Sequence, residues 1–491
     1  MSKFGMEGAH SKSFLMTLNT GRELVANIVN PLYGPAYPIF ASEVATMEYA
    51  RDRLGAPIPR VLDWCTDKDS TPVQAAYMIT EKPEGVMLEE VWHTLDVNRK
   101  LEVTEQIAAI ERALDRGVFP AFGSLYRRAD LKKNEPYVSI PGDDTYVVGC
   151  SAASRWWKDG RERFSGLRGP WTSTKDYLLA PALREHMWIT DFAQSSARPR
   201  WSLITRREAE RDMKDLLAML KLYASVIVKL IPAEHTHTTA LLPTLRHPDL
   251  DLYNIYVSLT DNGIKITSFV DWSHSCLGPR YLHFGTPGFL RLPELPGGAE
   301  RTVELPPDFA ELSDKDKTRA QREIDITKCR IVYENLRKRR DPTLAHLYDG
   351  FLFHRLRAMV MWSGNIWNNN YVPVCDSTST APKQLTIFHQ LRRGMVDIQR
   401  IWPKVLPDIP CPILYTPEEQ AAFISAAMIH QEHEDSITHL EGFFHASREG
   451  SVFTENYEAS KEFASLTWKE IAADNNPDFD TLREIWPWAR S

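Results

Sequence analysis

The chain has 491 residues, of which 43% are hydrophobic and 25% charged, and its net charge is −7. This is the composition of a globular protein long enough for two or three domains with a large core. The 58 lysines and arginines stand against 65 aspartates and glutamates and form no basic stripe. The sequence therefore excludes a dense positive surface for nucleic acid and a polybasic tract for anionic membranes. No apolar run approaches the roughly twenty residues that span a bilayer.

The cysteines and one histidine pair predict no zinc or redox site. The six cysteines are scattered and form no C-x-x-C pair: Cys65, Cys150, Cys276, Cys329, Cys375 and Cys411. His235 and His237 lack further ligands at zinc-binding spacing. The N-terminus has neither the apolar segment of a secretory signal nor the Arg/Ser-rich helix of a presequence. We therefore expect free thiols and either a cytosolic protein or a sequence truncated at its N-terminus.

The first eighty residues predict a small antiparallel sheet with one helix. Short apolar runs bounded by turn residues predict its strands, namely a hairpin over 3–18 with Gly8 in its turn and strands over 23–29, 61–64 and 75–79. Ser42 is a predicted N-cap, and apolar residues at helical spacing predict a helix from Glu43 to Leu54. Glu81 to Gly85 then reads as a connection to the rest of the chain.

From residue 99 the chain is predicted to be mainly helical, apart from an irregular insertion at about 120–205 that is a source of substrate contacts. The helix over 99–117 directs a row of apolar residues to the core, namely Leu101, Ile107, Ile110 and Leu114. Further helices are predicted over 208–230, 314–340, 343–361, 383–402, 416–447 and about 456–474. Thr416 and Glu419 form a capping box that starts one of them.

A composite motif lies between the helical segments. His247, Asp249 and Asn254 follow the order H-x-D-x-x-x-x-N, and a predicted β-hairpin then ends at Asp271-Trp272. A lone H-x-D is common and is compatible with a histidine that caps a turn. The full combination of loop, hairpin and terminal acid is typical of the catalytic segment of kinases.

The chemistry of phosphoryl transfer accounts for these residue types. A loop aspartate accepts the proton of an attacking hydroxyl, and two oxygen ligands from separate elements hold a hard cation against the phosphates. We predict Asp249 as the base, Asn254 and Asp271 as Mg²⁺ ligands, and His247 as a residue that braces the loop.

These residues, with Gly278-Pro279, resemble the aminoglycoside phosphotransferase family of kinase-like enzymes, in which D-W replaces the D-F-G of protein kinases. More narrowly, the chain resembles a fungal subgroup related to the altered-inheritance-of-mitochondria proteins. The resemblance runs from about residue 3 to the C-terminus. The matching stretches besides the motif are Glu7-Gly8, Gly21-Arg22-Glu23, Ala41 to Glu48 and Arg168-Gly-Pro-Trp171.

The resemblance implies an α+β, two-lobed, protein-kinase-like fold. It implies a small antiparallel-sheet lobe over 1–83 that binds nucleotide, and a large, mainly helical lobe over 84–491. The second lobe contains the catalytic loop 245–257, the insertion and a helical extension over about 314–491. The implied cofactors are ATP and Mg²⁺. The implied acceptor is a hydroxyl of an unidentified small molecule, with protein phosphorylation second, and mitochondrial members of the subgroup make that compartment possible.

The resemblance also implies roles for three residues of the first lobe. Gly8 would lie in the loop over the phosphates, and Glu43 would occupy the ion-pair position of the first helix. Glu81 would begin the hinge, where backbone groups receive the adenine edge.

One residue departs from the family pattern. The strand over 23–29 should carry a lysine or arginine for the phosphates and for Glu43, but it reads Ala26-Asn27-Ile28. Asparagine is short and neutral and supplies no cationic arm. The alternative is therefore a pseudokinase-like binding or scaffold protein with a protein partner. Retention of Asp249, Asn254 and Asp271 together favours an active enzyme.

Overall fold

The computed structural model describes residues 2–4, 11–29, 35–157, 160–191, 206–231, 238–261, 263–283, 285–292, 302–340, 351–366, 383–444 and 462. Its strands are β1 (Ser2–Lys3), β2 (Ser11–Thr17), β3 (Glu23–Val29), β4 (Val61–Cys65), β5 (Tyr77–Glu81), β6 (Val86–Met87), β7 (Ser124–Arg127), β8 (Val138–Ser139), β9 (Tyr146–Gly149), β10 (Pro243–Leu245), β11 (Ile255–Thr260), β12 (Gly263–Phe269) and β13 (Leu277–Pro279).

The helices range in length from 4 to 28 residues. They are α1 (Ala36–Asp52), α2 (Leu88–Trp92), α3 (Val97–Leu114), α4 (Thr174–Asp191), α5 (Arg206–Ile227), α6 (Arg280–His283), α7 (Asp314–Arg340), α8 (Phe351–Ser363), α9 (Lys383–Val405) and α10 (Pro417–Phe444). None of the helices in the described ranges is both long and apolar enough to cross a bilayer.

The chain folds into two compact units. One comprises Met1–Tyr177 and Pro232–Phe353, and the other comprises Leu178–Ile231 and His354–Ser491. The predicted lobe boundary near residue 83 lies within the first unit, and the division into lobes over 1–83 and 84–491 stays a prediction. All residues of the composite motif belong to the first unit.

An antiparallel sheet in the order β1-β2-β3-β5-β4 forms the N-terminal part of the first unit. Strand β3 has the predicted bounds, and its alternation places Val25, Asn27 and Val29 on one face. Val29 and Met78, which pairs with Asn27 on β5, both pack in the core that contains α1. Asn27 therefore lies on the face of the sheet that packs against α1.

Helix α1 begins earlier than predicted. It starts at Ala36, so the prediction of Ser42 as its N-cap is wrong, and Ser42 is buried within the helix. Pro38 occupies the first turn, where backbone N–H groups have no helical partner and a proline costs nothing. The predicted helix over 43–54 is thus the second half of a longer one, and it places Glu43 in the middle rather than at the first turn.

Helix α3 forms the centre of the first unit. Asp96 caps it by accepting hydrogen bonds from the backbone N–H groups of Asn98 and Arg99. Its predicted apolar row faces the core, with Ile107 and Leu114 fully buried. Lys100, seven residues before Ile107 and so on nearly the same face, pairs with Asp325 of α7 at 3.1 Å in a buried position. The antiparallel sheet near the N-terminus and the helices that follow it confirm the predicted α+β class.

The segment over 120–205 is more regular than predicted. It contains a three-stranded sheet in the order β7-β9-β8 and the 18-residue helix α4. The prediction of an irregular insertion is wrong for these residues, because their short strands lie between turns whose composition resembles that of loops. Four residues each of β7 and β9 pair antiparallel, from Ser124 with Gly149 to Arg127 with Tyr146.

The second unit is helical in its described parts. Helices α9 and α10 pack against each other, and the capping box of α10 forms as predicted: Thr416 Oγ1 accepts from Glu419 N at 3.2 Å, and Glu419 Oε2 accepts from Thr416 N at 2.9 Å. The histidine pair His235 and His237, Cys375 and nearly all of the predicted helix over 456–474 lie outside the described residues.

Candidate active site

His247 braces the loop of the composite motif. Its Nδ1 accepts a hydrogen bond from the backbone N–H of Asp249 at 3.2 Å, so its proton lies on Nε2 and is donated to the carbonyl of Val270 at 2.8 Å. The ring is 4% exposed and packs edge-on against Trp272. Burial lowers its pKa, which keeps the ring neutral. These contacts fit the predicted bracing role.

Asn254 joins the loop to the end of the hairpin. Its Nδ2 donates to the backbone oxygen of Asp249 at 2.8 Å and lies 3.3 Å from that residue's Oδ2. Its backbone oxygen accepts from the N–H of Val270 at 3.0 Å. Because the amide nitrogen is directed at Asp249, the side-chain oxygen Oδ1 is left as an acceptor for another group.

Asp271 follows Val270 directly and is exposed. It has φ 58, in the left-handed region, and its Oδ1 accepts from Ser273 Oγ at 2.5 Å. The neighbouring Trp272 is 0% exposed and donates from Nε1 to the carbonyl of Phe269 at 3.2 Å. The buried tryptophan therefore anchors the peptide while the acid beside it remains accessible.

The oxygens of Asn254 and Asp271 fit a magnesium ion. Mg²⁺ prefers oxygen ligands and is usually held by one or two protein groups together with phosphates and water. No group of three or more histidine, cysteine, aspartate or glutamate residues gathers into a metal site in the described ranges. Two oxygen donors would leave the other coordination positions of such an ion to water or phosphate oxygens.

Glu43 reaches the same region from α1. It is 5% exposed, and its carboxyl group is close enough to the backbone N–H of Trp272 and to the carboxylate of Asp271 for both to act on its pKa. Burial raises the pKa of Glu43 well above its ordinary value, the negative charge of Asp271 raises it further, and the Trp272 N–H opposes both. No lysine or arginine pairs with Glu43 among the described residues.

Asn27 does not replace the missing cation. Its Oδ1 accepts from Ser13 Oγ at 2.6 Å, across the β2–β3 pair. The side chain of Asn27 is thus held along the sheet rather than extended toward Glu43.

The predicted hinge passes close to the hairpin of the motif. Gly85 has φ +87, and a Cβ placed on it would lie 2.1 Å from the backbone oxygen of Val257. This position accepts no side chain without displacement of the backbone. The carboxylate of Glu81 instead contacts two arginines. Its Oε2 accepts from the backbone N–H of Arg60 at 3.2 Å, and its Oε1 lies 3.4 Å from Arg22 Nη2. Gly8 lies outside the described residues.

The structure therefore brings together five of the predicted site residues: His247, Asp249, Asn254, Asp271 and Glu43. Several contacts around them were not predicted. Ser124 Oγ donates to the backbone oxygen of Ser275 at 2.7 Å, and His274 Nδ1 donates to the carbonyl of Ala152 at 3.1 Å. Side chains that bond to backbone groups far along the sequence leave no local pattern, so the sequence contains no signal for them.

Comparison with known proteins identifies a family and several similar chains. The model of the phosphotransferase enzyme family matches residues 6–286, more than half of the chain. A subtelomeric hrmA-associated cluster protein of Aspergillus fumigatus is 26% identical, over 93% of this chain and 90% of that protein.

Two further similarities extend the comparison. The altered inheritance of mitochondria protein 9 of Candida tropicalis is 28% identical, over 58% of this chain and 48% of that protein. The apo crystal structure of a thermostable aminoglycoside phosphotransferase mutant is 17% identical, with a TM-score of 0.35, and the match covers 74% of this chain and 87% of that one. On the strength of the family match, the chain belongs to the phosphotransferase enzyme family.

Proposed function

We propose that this protein is an ATP- and Mg²⁺-dependent phosphotransferase that transfers the γ-phosphate to a hydroxyl group of a small molecule. The observation that carries the proposal is the connection through Val270. Its carbonyl accepts from His247 and its N–H donates to Asn254, so the loop and Asp271 are held as one assembly. Base and candidate metal ligands thus occupy fixed relative positions, as in-line transfer requires.

Each residue then has a distinct task. Asp249 orients the acceptor hydroxyl and takes its proton as the oxygen bonds to the γ-phosphorus and the bond to the ADP oxygen breaks. Asn254 and Asp271 would hold Mg²⁺ through Oδ1 and the carboxylate. When bound, the ion neutralises charge on the phosphates. His247 and Trp272 keep the loop and the Asp271 peptide in place.

The acceptor is proposed as a small metabolite, with a protein hydroxyl as the second choice. The proposed location is the cytosol, and the mitochondrion is the alternative, because several relatives are named as mitochondrial proteins.

A binding or scaffold role is the second candidate function. Two observations favour it: Asn27 is bonded to Ser13, and Glu43 lacks a cationic partner among the described side chains. In that case the fold would present a surface to a protein partner, and catalysis would be lost.

Transfer of label from γ-labelled ATP tests the two functions against each other. The purified protein is incubated with the small-molecule fraction of a fungal extract, with and without Mg²⁺, beside Asp271→Asn. We expect Mg²⁺-dependent labelling of at least one small molecule by the wild-type protein and none by Asp271→Asn. No labelling by either protein would favour the scaffold role, and equal labelling by the two would contradict the assignment of Asp271 as a metal ligand.

A further inference from the structure

We propose that Arg127 of β7 is a positioning residue that replaces the missing strand lysine: its ion pair with Glu48 holds α1, and with it Glu43, against the Asp271-Trp272 peptide. The inference rests on the proposed function, since it concerns how the same site is kept assembled. It assigns a role to the sheet β7-β9-β8, which lies outside the predicted nucleotide lobe.

The link between α1 and β7 is a two-point ion pair. Arg127 Nε donates to Glu48 Oε2 at 2.7 Å, and Arg127 Nη2 contacts Glu48 Oε1. The hydroxyl of Tyr146 on β9 lies 3.4 Å from Glu48 Oε2. The two charged side chains are 30% and 15% exposed. A bidentate arginine–carboxylate pair fixes orientation as well as distance, and partial burial protects it from screening.

The first turn of α1 is tied to the same segment. The hydroxyl of Tyr37 accepts from the backbone N–H of Lys132 at 3.1 Å and lies 2.7 Å from Glu135 Oε2. The ring of Tyr49, one residue beyond Glu48, packs edge-on against Tyr146 at 5.3 Å between centroids. Both ends of α1 are therefore attached to the segment that contains β7 and β9.

The other end of β7 holds the segment that follows Asp271. Gly123 and Leu277 exchange two backbone hydrogen bonds, of 2.7 and 3.2 Å. Ser124 Oγ donates to the carbonyl of Ser275 and accepts from the N–H of Ala152 at 3.0 Å. Ser124 and Arg127 are three residues apart on one strand, about 10 Å. A single short strand therefore connects the Asp271 segment to α1.

This connection supplies what Asn27 cannot. In the family pattern, a cation on β3 would join the sheet to Glu43, whereas here Asn27 is bonded to Ser13. Glu43 instead lies beside the backbone N–H of Trp272 and the carboxylate of Asp271, so its place depends on how α1 sits relative to that peptide. In this chain, contacts from β7 rather than a cation on β3 hold α1 in place.

The test compares Arg127→Gln, Asn27→Lys, the double variant and a matched control. The control is Arg53→Gln, which removes a longer pair, at 3.6 Å, between an exposed arginine at the end of α1 and Asp143 before β9. Backbone amide exchange is followed over 41–47 and 271–277, and the dissociation constant of ATP·Mg²⁺ is measured by calorimetry.

We expect Arg127→Gln to speed exchange in both segments and to raise the dissociation constant about tenfold. This corresponds to the loss of one charge-assisted hydrogen bond. Arg53→Gln should change neither quantity. Adding Asn27→Lys should restore both, because a lysine on β3 can hold Glu43 directly. If the Arg127–Glu48 pair only stabilised the fold, a lysine on β3 would not restore the exchange rates and the dissociation constant.

Two results would overturn the inference: unchanged exchange in Arg127→Gln, or faster exchange that Asn27→Lys does not restore. If Arg127→Gln fails to fold, Arg127→Lys takes its place, because it keeps the charge without the two-point geometry. It should show smaller increases in the exchange rates and in the dissociation constant. If the proposed function is wrong, the same experiment gives a different result. A wild-type protein that binds no ATP·Mg²⁺ would contradict phosphotransfer, while the exchange pattern would still decide the role of Arg127.

Discussion

Asp249→Asn is expected to lower the rate of ATP turnover by about 10²–10⁴-fold, the usual contribution of a positioned base. The side chain is exposed in the loop, and an amide of the same shape cannot accept the proton of the acceptor hydroxyl. The backbone bonds of residue 249 to His247 and Asn254 do not involve the changed group. The fold and the binding of nucleotide should therefore be retained.

Release of ADP under saturating ATP·Mg²⁺ measures this effect. Asp251→Asn is the matched control: it changes an acid two residues further along the same loop, whose Oδ1 accepts from the N–H of Leu252 at 2.6 Å. An asparagine oxygen can accept the same bond, so this variant should turn over ATP at close to the wild-type rate. Equal rates for Asp249→Asn and the wild-type protein would show that Asp249 is not the base.

Trp272→Ala is expected to reduce the free energy of unfolding of the first unit by about 3–5 kcal/mol, the range for removal of a large buried aromatic side chain. Trp272 is 0% exposed, and its ring centroid lies 4.6 Å from that of His247. Its loss leaves a cavity behind Asp271 and frees the His247 ring. Urea unfolding followed by circular dichroism measures the change.

Trp272→Phe is the matched control for that cavity. It keeps an aromatic ring against His247 and loses the Nε1 bond to the carbonyl of Phe269, together with part of the buried volume. We expect Trp272→Phe to reduce the free energy of unfolding by clearly less than Trp272→Ala does. A similar loss in both variants would mean that the hydrogen bond, rather than the packing, anchors the peptide.

The parts of the fold that were correctly predicted depend on local patterns. Strand β3 and helix α7 have the predicted bounds, because turn residues and regular apolar spacing delimit them. The contacts of His247, Asp249, Asn254 and Asp271 follow from the same principle: the loop, the hairpin and the final acid are close in sequence. Their spacing along the chain therefore determines which of these side chains can contact one another.

The parts that were missed depend on contacts between distant residues. Helix α1 begins six residues before Ser42 because Ala36 to Ala41 pack into the core, although this stretch contains Pro38. The sheet of β7, β8 and β9 forms from strands of two to four residues, too short for a periodic signal. The pair of Glu48 and Arg127 joins residues 79 positions apart. No single-sequence pattern indicates such a pair.

The most direct test of the nucleotide site is a thermal melt of the wild-type protein with ATP, with and without Mg²⁺, beside Asp271→Asn. At a ligand concentration of about one hundred times Kd, binding stabilises the folded state by about 2.7 kcal/mol. The site described here predicts a rise in melting temperature that requires Mg²⁺ and is lost in Asp271→Asn. The absence of any shift at millimolar ATP, or an equal shift in the variant, would contradict it.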